Sequence, residues 1–220
     1  MNITQIKQEQ LNFLRNSDVF TITQRGVTTQ TDTGTFSSAA THTLATSPTT
    51  AKNIRSITRG TLLTYGEDYT VNFLTGVIRF TVAQTGSYTI SYDTGSDKIY
   101  PDFPRDDLTI NSFPRIAIDI MSAPIEPFGI GGDSFISNVA LTIVVYDKRS
   151  DDLDSYVQTI KDLYVSNAKN FYYMKFVKPT FIGPTINSPD KKDEIMQKNL
   201  DILGMFNVES STWITEWKND

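Results

Sequence analysis

The sequence predicts an α+β fold: a mixed or antiparallel sheet with helices packed on one face, plus an inserted small all-β domain, sandwich or barrel-like. Three observations predict it. Helical periodicity is clear in two stretches, 2–17 and 150–164, and a short helix or exposed tail is the reading for Trp213 and Trp217, four residues apart. Apolar residues alternate at a period of two through Ile116, Ile118 and Ile120, and again through Val139, Leu141, Ile143 and Val145. Between the first helix and these strands, turn residues punctuate 54–93 every ~8–12 residues, the rhythm of a small sandwich or barrel.

Taken in order, Ile3, Ile6, Gln10, Phe13 and Leu14 fall on one side of a helix over 2–17, with Asn2 or Thr4 as its cap and Asn16-Ser17-Asp18 as its end. Residues 19–23 read as a short strand. The Thr- and Ser-rich stretch 24–50 reads as weak, exposed strands and loops, since Thr is β-branched and suits an exposed pleat. Within 54–93, Tyr69, Val71 and Phe73 alternate with polar residues. Gly76 supplies the φ > 0 of a hairpin turn, and Gln84-Thr85-Gly86 reads as another turn. Pro101, Pro104 and Pro114, interleaved with Asp and Arg, mark a boundary. Residues 24–105 are therefore expected as an insertion in a domain built from 1–23 and 106–220.

Two strands flank the loop 123–133, which holds Pro124, Pro127, Gly129, Gly131 and Gly132. A loop of that length reads as an arm or contact surface. Its Gly129-Ile-Gly-Gly spacing fits neither a Walker A loop nor the dinucleotide fingerprint, and no helix follows. Ser150 is expected to cap the second helix, with Asp151 and Asp152 in its first turn, where free N–H groups favour carboxylates. Its apolar stripe is Leu153, Tyr156/Val157, Ile160 and Leu163/Tyr164. Residues 171–177 read as an aromatic strand. Leu200, Ile202, Gly204, Phe206 and Val208 alternate as a last strand.

Composition removes several classes of function. The chain has 220 residues, no Cys and a single His, so thiolate metal sites and multi-His centres are excluded. His42 reads as an ordinary surface residue. A net charge of −5 with dispersed Lys and Arg argues against a nucleic-acid binder. No apolar run approaches the ~20 residues of a membrane span, and the N-terminus has no apolar signal region. No acid/base set converges, so no catalytic, cofactor or metal residue is predicted and an enzyme is not expected. Candidate residues are instead those of an assembly interface: Phe128, Ile130 and Phe135 around the long loop, Tyr173 and Phe176 in the aromatic strand, and Trp213 and Trp217 near the C-terminus.

The stretch Thr64-Tyr-Gly-Glu-Asp-Tyr-Thr-Val-Asn-Phe-Leu-Thr-Gly-Val-Ile-Arg-Phe resembles a hairpin that recurs in tailed-phage structural proteins. Phe113-Pro-Arg-Ile-Ala-Ile-Asp, Val139-Ala-Leu-Thr-Ile-Val-Val-Tyr-Asp and Asp152-Leu-Asp-Ser-Tyr-Val-Gln-Thr-Ile look like the corresponding elements of the tail terminator (tail completion) proteins of long-tailed phages. Small terminators lack the insertion at 24–105. The resemblance implies a virion protein of the neck, assembled in the host cytoplasm. It would form a hexameric ring that caps the tail tube and joins it to the head–tail connector. Its partners would be the tail tube protein and neck proteins, with DNA passing through the lumen without specific binding and no membrane involved. Other neck or tail components (connector, stopper or tube protein) remain open. So does a carbohydrate-binding adhesion protein that uses the β module.

Overall fold

A computed structural model describes residues 3–17, 19–44, 51–73, 75–101, 113–127, 134–187 and 195–209. The chain is mostly β, with few helices and more than one sheet. It divides into two compact units, Met1–Gln10 with Tyr100–Asp220, and Leu11–Ile99. In chain order the elements are α1 (Ile3–Asn16), α2 (Ile22–Arg25), β1 (Val27–Thr43), β2 (Ala51–Arg59), β3 (Thr61–Leu62), β4 (Tyr69–Asn72), β5 (Val77–Gly95) and β6 (Ile99–Tyr100). Then come β7 (Arg115–Ser122), β8 (Ile125–Pro127), β9 (Ser134–Asp147), α3 (Ser150–Ser166), β10 (Lys175–Ile182), β11 (Ile186–Asn187) and β12 (Met196–Glu209). Among the described residues no helix is long and apolar enough to cross a membrane.

In the unit Leu11–Ile99, one antiparallel sheet runs in the order β1-β5-β2-β3, with β4 also paired to β5. Its buried residues Phe36, Ile54, Ile57, Tyr69, Ile78, Phe80, Ile90 and Tyr92 form one cluster, in which Phe36 stacks on Tyr88 and meets Phe80 edge-on. The sequence expectations need three corrections here. Residues 27–43 form one 17-residue strand, not weak pieces, because β1 pairs with β5 over nearly its full length. The expected strand at 19–23 is replaced by α2. Thr21 and Gln24 form a reciprocal capping box there, and Gly26 closes the turn at φ 71°. Residues 84–86 are not a chain reversal: β5 continues through them. Gly86 at φ 96° lies opposite Phe36, and the register slips between Phe36 and Ala39, where Ser38 has φ 55°. The glycine thus serves a bend in two paired strands.

In the second unit, the sheet order is β10-β12-β9-β7-β6, with β11 on β12 and β8 on β9. Register explains its core. Ile116 pairs with Val145, Ile118 with Ile143, Leu200 with Ile143 and Ile202 with Leu141, so these side chains share one face, and all are buried. Helix α3 covers that face with Leu153, Val157, Ile160 and Tyr164. Lys198, paired with Val145, reaches Asp154 of the helix at 2.6 Å. Each such apolar side chain contributes roughly 1.5–3 kcal/mol when buried. Ser150 is the first helical residue and not the cap. Arg149 holds the cap position without a side-chain bond, while Asp151 and Asp152 do sit in the first turn. Residues 171–174 form a bend, and the strand starts only at Lys175.

Candidate assembly surface and a buried ion network

Among the described residues, a dense polar constellation lies inside the unit Leu11–Ile99. Arg25, only 1% exposed, donates from Nη1 to Asp93 Oδ2 at 3.0 Å and to the Arg15 carbonyl at 2.5 Å, and from Nε and Nη2 to both carboxylate oxygens of Asp97. Asp93 also accepts from Arg55 Nε at 2.6 Å and Thr29 Oγ1 at 3.0 Å, with Asn53 Nδ2 at 3.4 Å. Arg15 lies 3.4 Å from Asp97 and donates to the carbonyls of Lys52 and Ile99, both at 2.6 Å. The backbone N–H of Ile99 donates to Asp97 at 3.1 Å.

Every oxygen of the two carboxylates already accepts hydrogen bonds from within the unit. Neither is presented to a metal or substrate, so the network's chemistry is that of a clamp. It ties α1, α2, β2, β5 and the 93–99 segment together. Sequence reading missed it because its partners stand 68 and 72 residues apart, with no local spacing to betray them.

His42, expected at the surface, is half-buried. Its ring lies 5.5 Å from Phe36 and 5.0 Å from Tyr88, with Nε2 4.0 Å from Asp32. Burial lowers its pKa, and the Asp32 charge opposes that shift. Aromatic side chains elsewhere in this unit are drawn into its core. Tyr65, Phe73 and Tyr88 are half-buried against it.

The other unit presents the opposite pattern at one sheet edge. Phe176 is 76% exposed, and Tyr172, Phe181, Ile182 and Ile186 are also exposed. The local geometry explains why. Lys175 pairs with Met205 and Lys178 with Leu203, so β10 spends one residue more than β12 between those pairs. The extra residue is accommodated by Phe176 at φ 52°, a conformation that costs a bulky L-residue about 1–3 kcal/mol. Val177 stays buried, while the Phe176 ring stands in solvent. A second slip lies between Pro179 and Phe181.

The bend before this strand is held from α1. The Glu9 carboxylate accepts the backbone N–H groups of Tyr172 and Tyr173. Its pKa is raised by burial, opposed by bonds from the N–H groups of Tyr173, Tyr172 and Met174 and by the charge of Lys175. Met174 is fully buried against Gly204, where a Cβ would collide with it. Lys175 Nζ closes the bend on the Phe171 carbonyl at 2.6 Å.

Of the residues expected at an interface, Phe176 is exposed at this edge, and Tyr173 is half-buried beside it with its ring edge-on to Tyr172. Phe135 lies in β9, paired with Val208 and Pro127, its side chain outside what the structure describes. Phe128, Ile130, Trp213 and Trp217 lie outside the described residues. Phe181, Ile182 and Ile186 were not anticipated. Pro179 was the available signal, since proline within a sheet belongs to edge strands. No protein-family model matches the chain, and no curated protein matches it.

Proposed function

We infer that this chain is a virion structural protein of the phage neck or tail. Its α+β unit would assemble into a ring that terminates the tail tube and meets the head–tail connector, as the resemblance to tail terminators implies. In this reading residues 24–105 are an inserted β module, and the ring is hexameric. The observation that supports it is the apolar edge of the α+β sheet. A phenylalanine held in solvent at positive φ, flanked by Phe181, Ile182 and Ile186, is costly for a protein that works alone. It is understandable as surface awaiting a subunit. The buried ion network supports a rigid module and offers no open carboxylate for chemistry.

Native mass spectrometry and negative-stain imaging of the full chain test the proposal. The expected result is a closed ring that docks on one end of tail tubes. Long stacks would instead identify a tube protein. A chain that stays monomeric at high concentration and ignores tubes overturns the reading.

A further inference from the structure

An ionised carboxylate taken out of water needs partners on both oxygens, and Glu9 has them on one. Its residue is only 7% exposed, and Oε1 accepts the backbone N–H groups of Tyr172 and Tyr173, the second at 3.0 Å. Oε2 is buried as well, and among the described residues no group hydrogen-bonds to it. The cation whose charge acts on Glu9 is Lys175, but its Nζ is engaged by the Phe171 carbonyl at 2.6 Å. From α3 the titratable group that faces Glu9 is Tyr164. Its hydroxyl donates to Gln10 at 2.8 Å, and its pKa is pushed up by burial and by the charge of Glu9, so it stays protonated. Glu9 is therefore the group of this set that changes charge between acid and neutral pH.

The bend it holds lies between two fixed points. Phe171 is buried and stacked on Tyr164, and Met174 is fully buried against Gly204. Between them Tyr172 and Tyr173 set their rings edge-on to each other, 5.0 Å apart, and Tyr172 is 45% exposed. The pair can lift away from Glu9 without unseating either neighbour. The bend leads through Lys175 to the exposed ring of Phe176, so its anchorage sits at the root of the sheet's apolar edge.

We propose that Glu9 is a proton-operated clasp: with its carboxyl protonated the bend 171–174 is held against α1, and with it ionised Tyr172 and Tyr173 come loose while Phe171 and Met174 stay seated. The sign follows from where the charge is tolerated. In the open bend the carboxyl meets water and titrates as an ordinary glutamate. In the closed bend burial raises its pKa by more than the N–H groups and Lys175 lower it. The closed form therefore binds the proton more tightly. Closure is strongest below about pH 4.5 and weakens as pH rises through the raised value. A protonated Oε2 leaves Oε1 as a neutral acceptor for both N–H groups, with no buried charge to balance.

Hydrogen exchange of the full chain tests the clasp, read by mass spectrometry on fragments that cover 171–174, from about pH 4 to 8. Labelling times are scaled to the intrinsic exchange rate at each pH, and the β9–β12 ladder serves as the reference. Protection of the bend is expected to fall severalfold as pH rises, while the ladder keeps its own. E9Q retains an acceptor and cannot ionise, so its bend is expected to stay protected at every pH. Wild-type protection that is flat, or that rises with pH, overturns the inference, whether or not E9Q folds. A fall shared equally by the reference ladder overturns it in favour of global unfolding. An E9Q bend that loosens as the wild type does overturns it by assigning the effect to another group.

Discussion

Replacing Asp93 with Asn is a near-isosteric change with a large expected cost. The carboxylate is fully buried, and each of its oxygens faces a guanidinium: Oδ1 toward Arg55 at 2.6 Å and Oδ2 toward Arg25 at 3.0 Å. Either orientation of the new amide points its NH2 group at one of them, donor against donor. The charge that balances Arg25 is halved at the same time, leaving Asp97 alone. Breaking a buried pair by removing one partner costs about 3–5 kcal/mol, because the remaining charge stays buried. In a unit the size of Leu11–Ile99, each kcal/mol moves Tm by roughly 4–8 °C, so a fall of at least ~12 °C is expected for its transition. Calorimetry of D93N measures the fall. Hydrogen exchange resolves where it occurs, since protection is expected to drop at the β1–β5 amides while the β9–β12 ladder keeps its own. A loss below about 1 kcal/mol would refute the reasoning, by showing that Arg25 finds compensation without Asp93.

Four further substitutions, at three positions, probe other parts of the fold. E9A orphans the N–H groups of Tyr172 and Tyr173 and is expected to cost about 1–3 kcal/mol, read by urea unfolding. E9Q keeps an acceptor and removes the charge. Because the folded carboxyl has a raised pKa, the native state binds its proton more tightly than the unfolded chain does. Wild type is therefore expected to gain stability relative to E9Q as pH falls from neutral through that raised pKa, with the full gain below about 4.5. For His42 the sign is reversed: its lowered pKa means that the neutral ring is favoured in the fold. Its contribution is present above about pH 6.5 and lost as pH falls through the lowered value, so H42F is expected to flatten the pH dependence of unfolding there. Gly95 has φ 113°, and a Cβ there would stand 2.8 Å from the Gly26 carbonyl oxygen. G95A is expected to cost at least about 1–3 kcal/mol in thermal unfolding.

The parts of the fold legible in the sequence are those set by periodicity within one element. Leu153, Val157, Ile160 and Tyr164 are buried as their helical spacing requires, and Val139, Leu141, Ile143 and Val145 as alternation requires. What stayed hidden depends on partners distant in the chain. Gly86 looks like a turn residue until Phe36 is known to lie opposite it. Phe171 looks like the start of a strand until it is seen stacked on Tyr164, 5.6 Å between ring centroids, with the next residues turned toward Glu9. Arg25 follows a Thr-Ile-Thr-Gln run with nothing to announce that it will be buried between Asp93 and Asp97. The exposed edge was half legible: Phe176 was singled out as an aromatic residue. Its exposure comes from a one-residue slip against β12, which no local pattern contains.

Among the described strands, the edges of the two sheets are protected against pairing with another chain in different ways. Strand β1 is a 17-residue edge, long enough to invite pairing with another chain. It is blunted by the register slips around Ser38, and its exposed residues are largely Thr, Ser, Gly and Ala, so little apolar contact would reward a partner. Strand β10 is blunted differently, by Pro179, which has no N–H to give, by two slips in register, and by Lys175 and Lys178. Strand β12, by contrast, runs in unbroken register with β9. The same bulge that spoils β10 as a pairing edge also turns the Phe176 ring into solvent. Protection and exposure thus come from one distortion. It discourages unspecific pairing along β10 and leaves an exposed aromatic side chain on that strand.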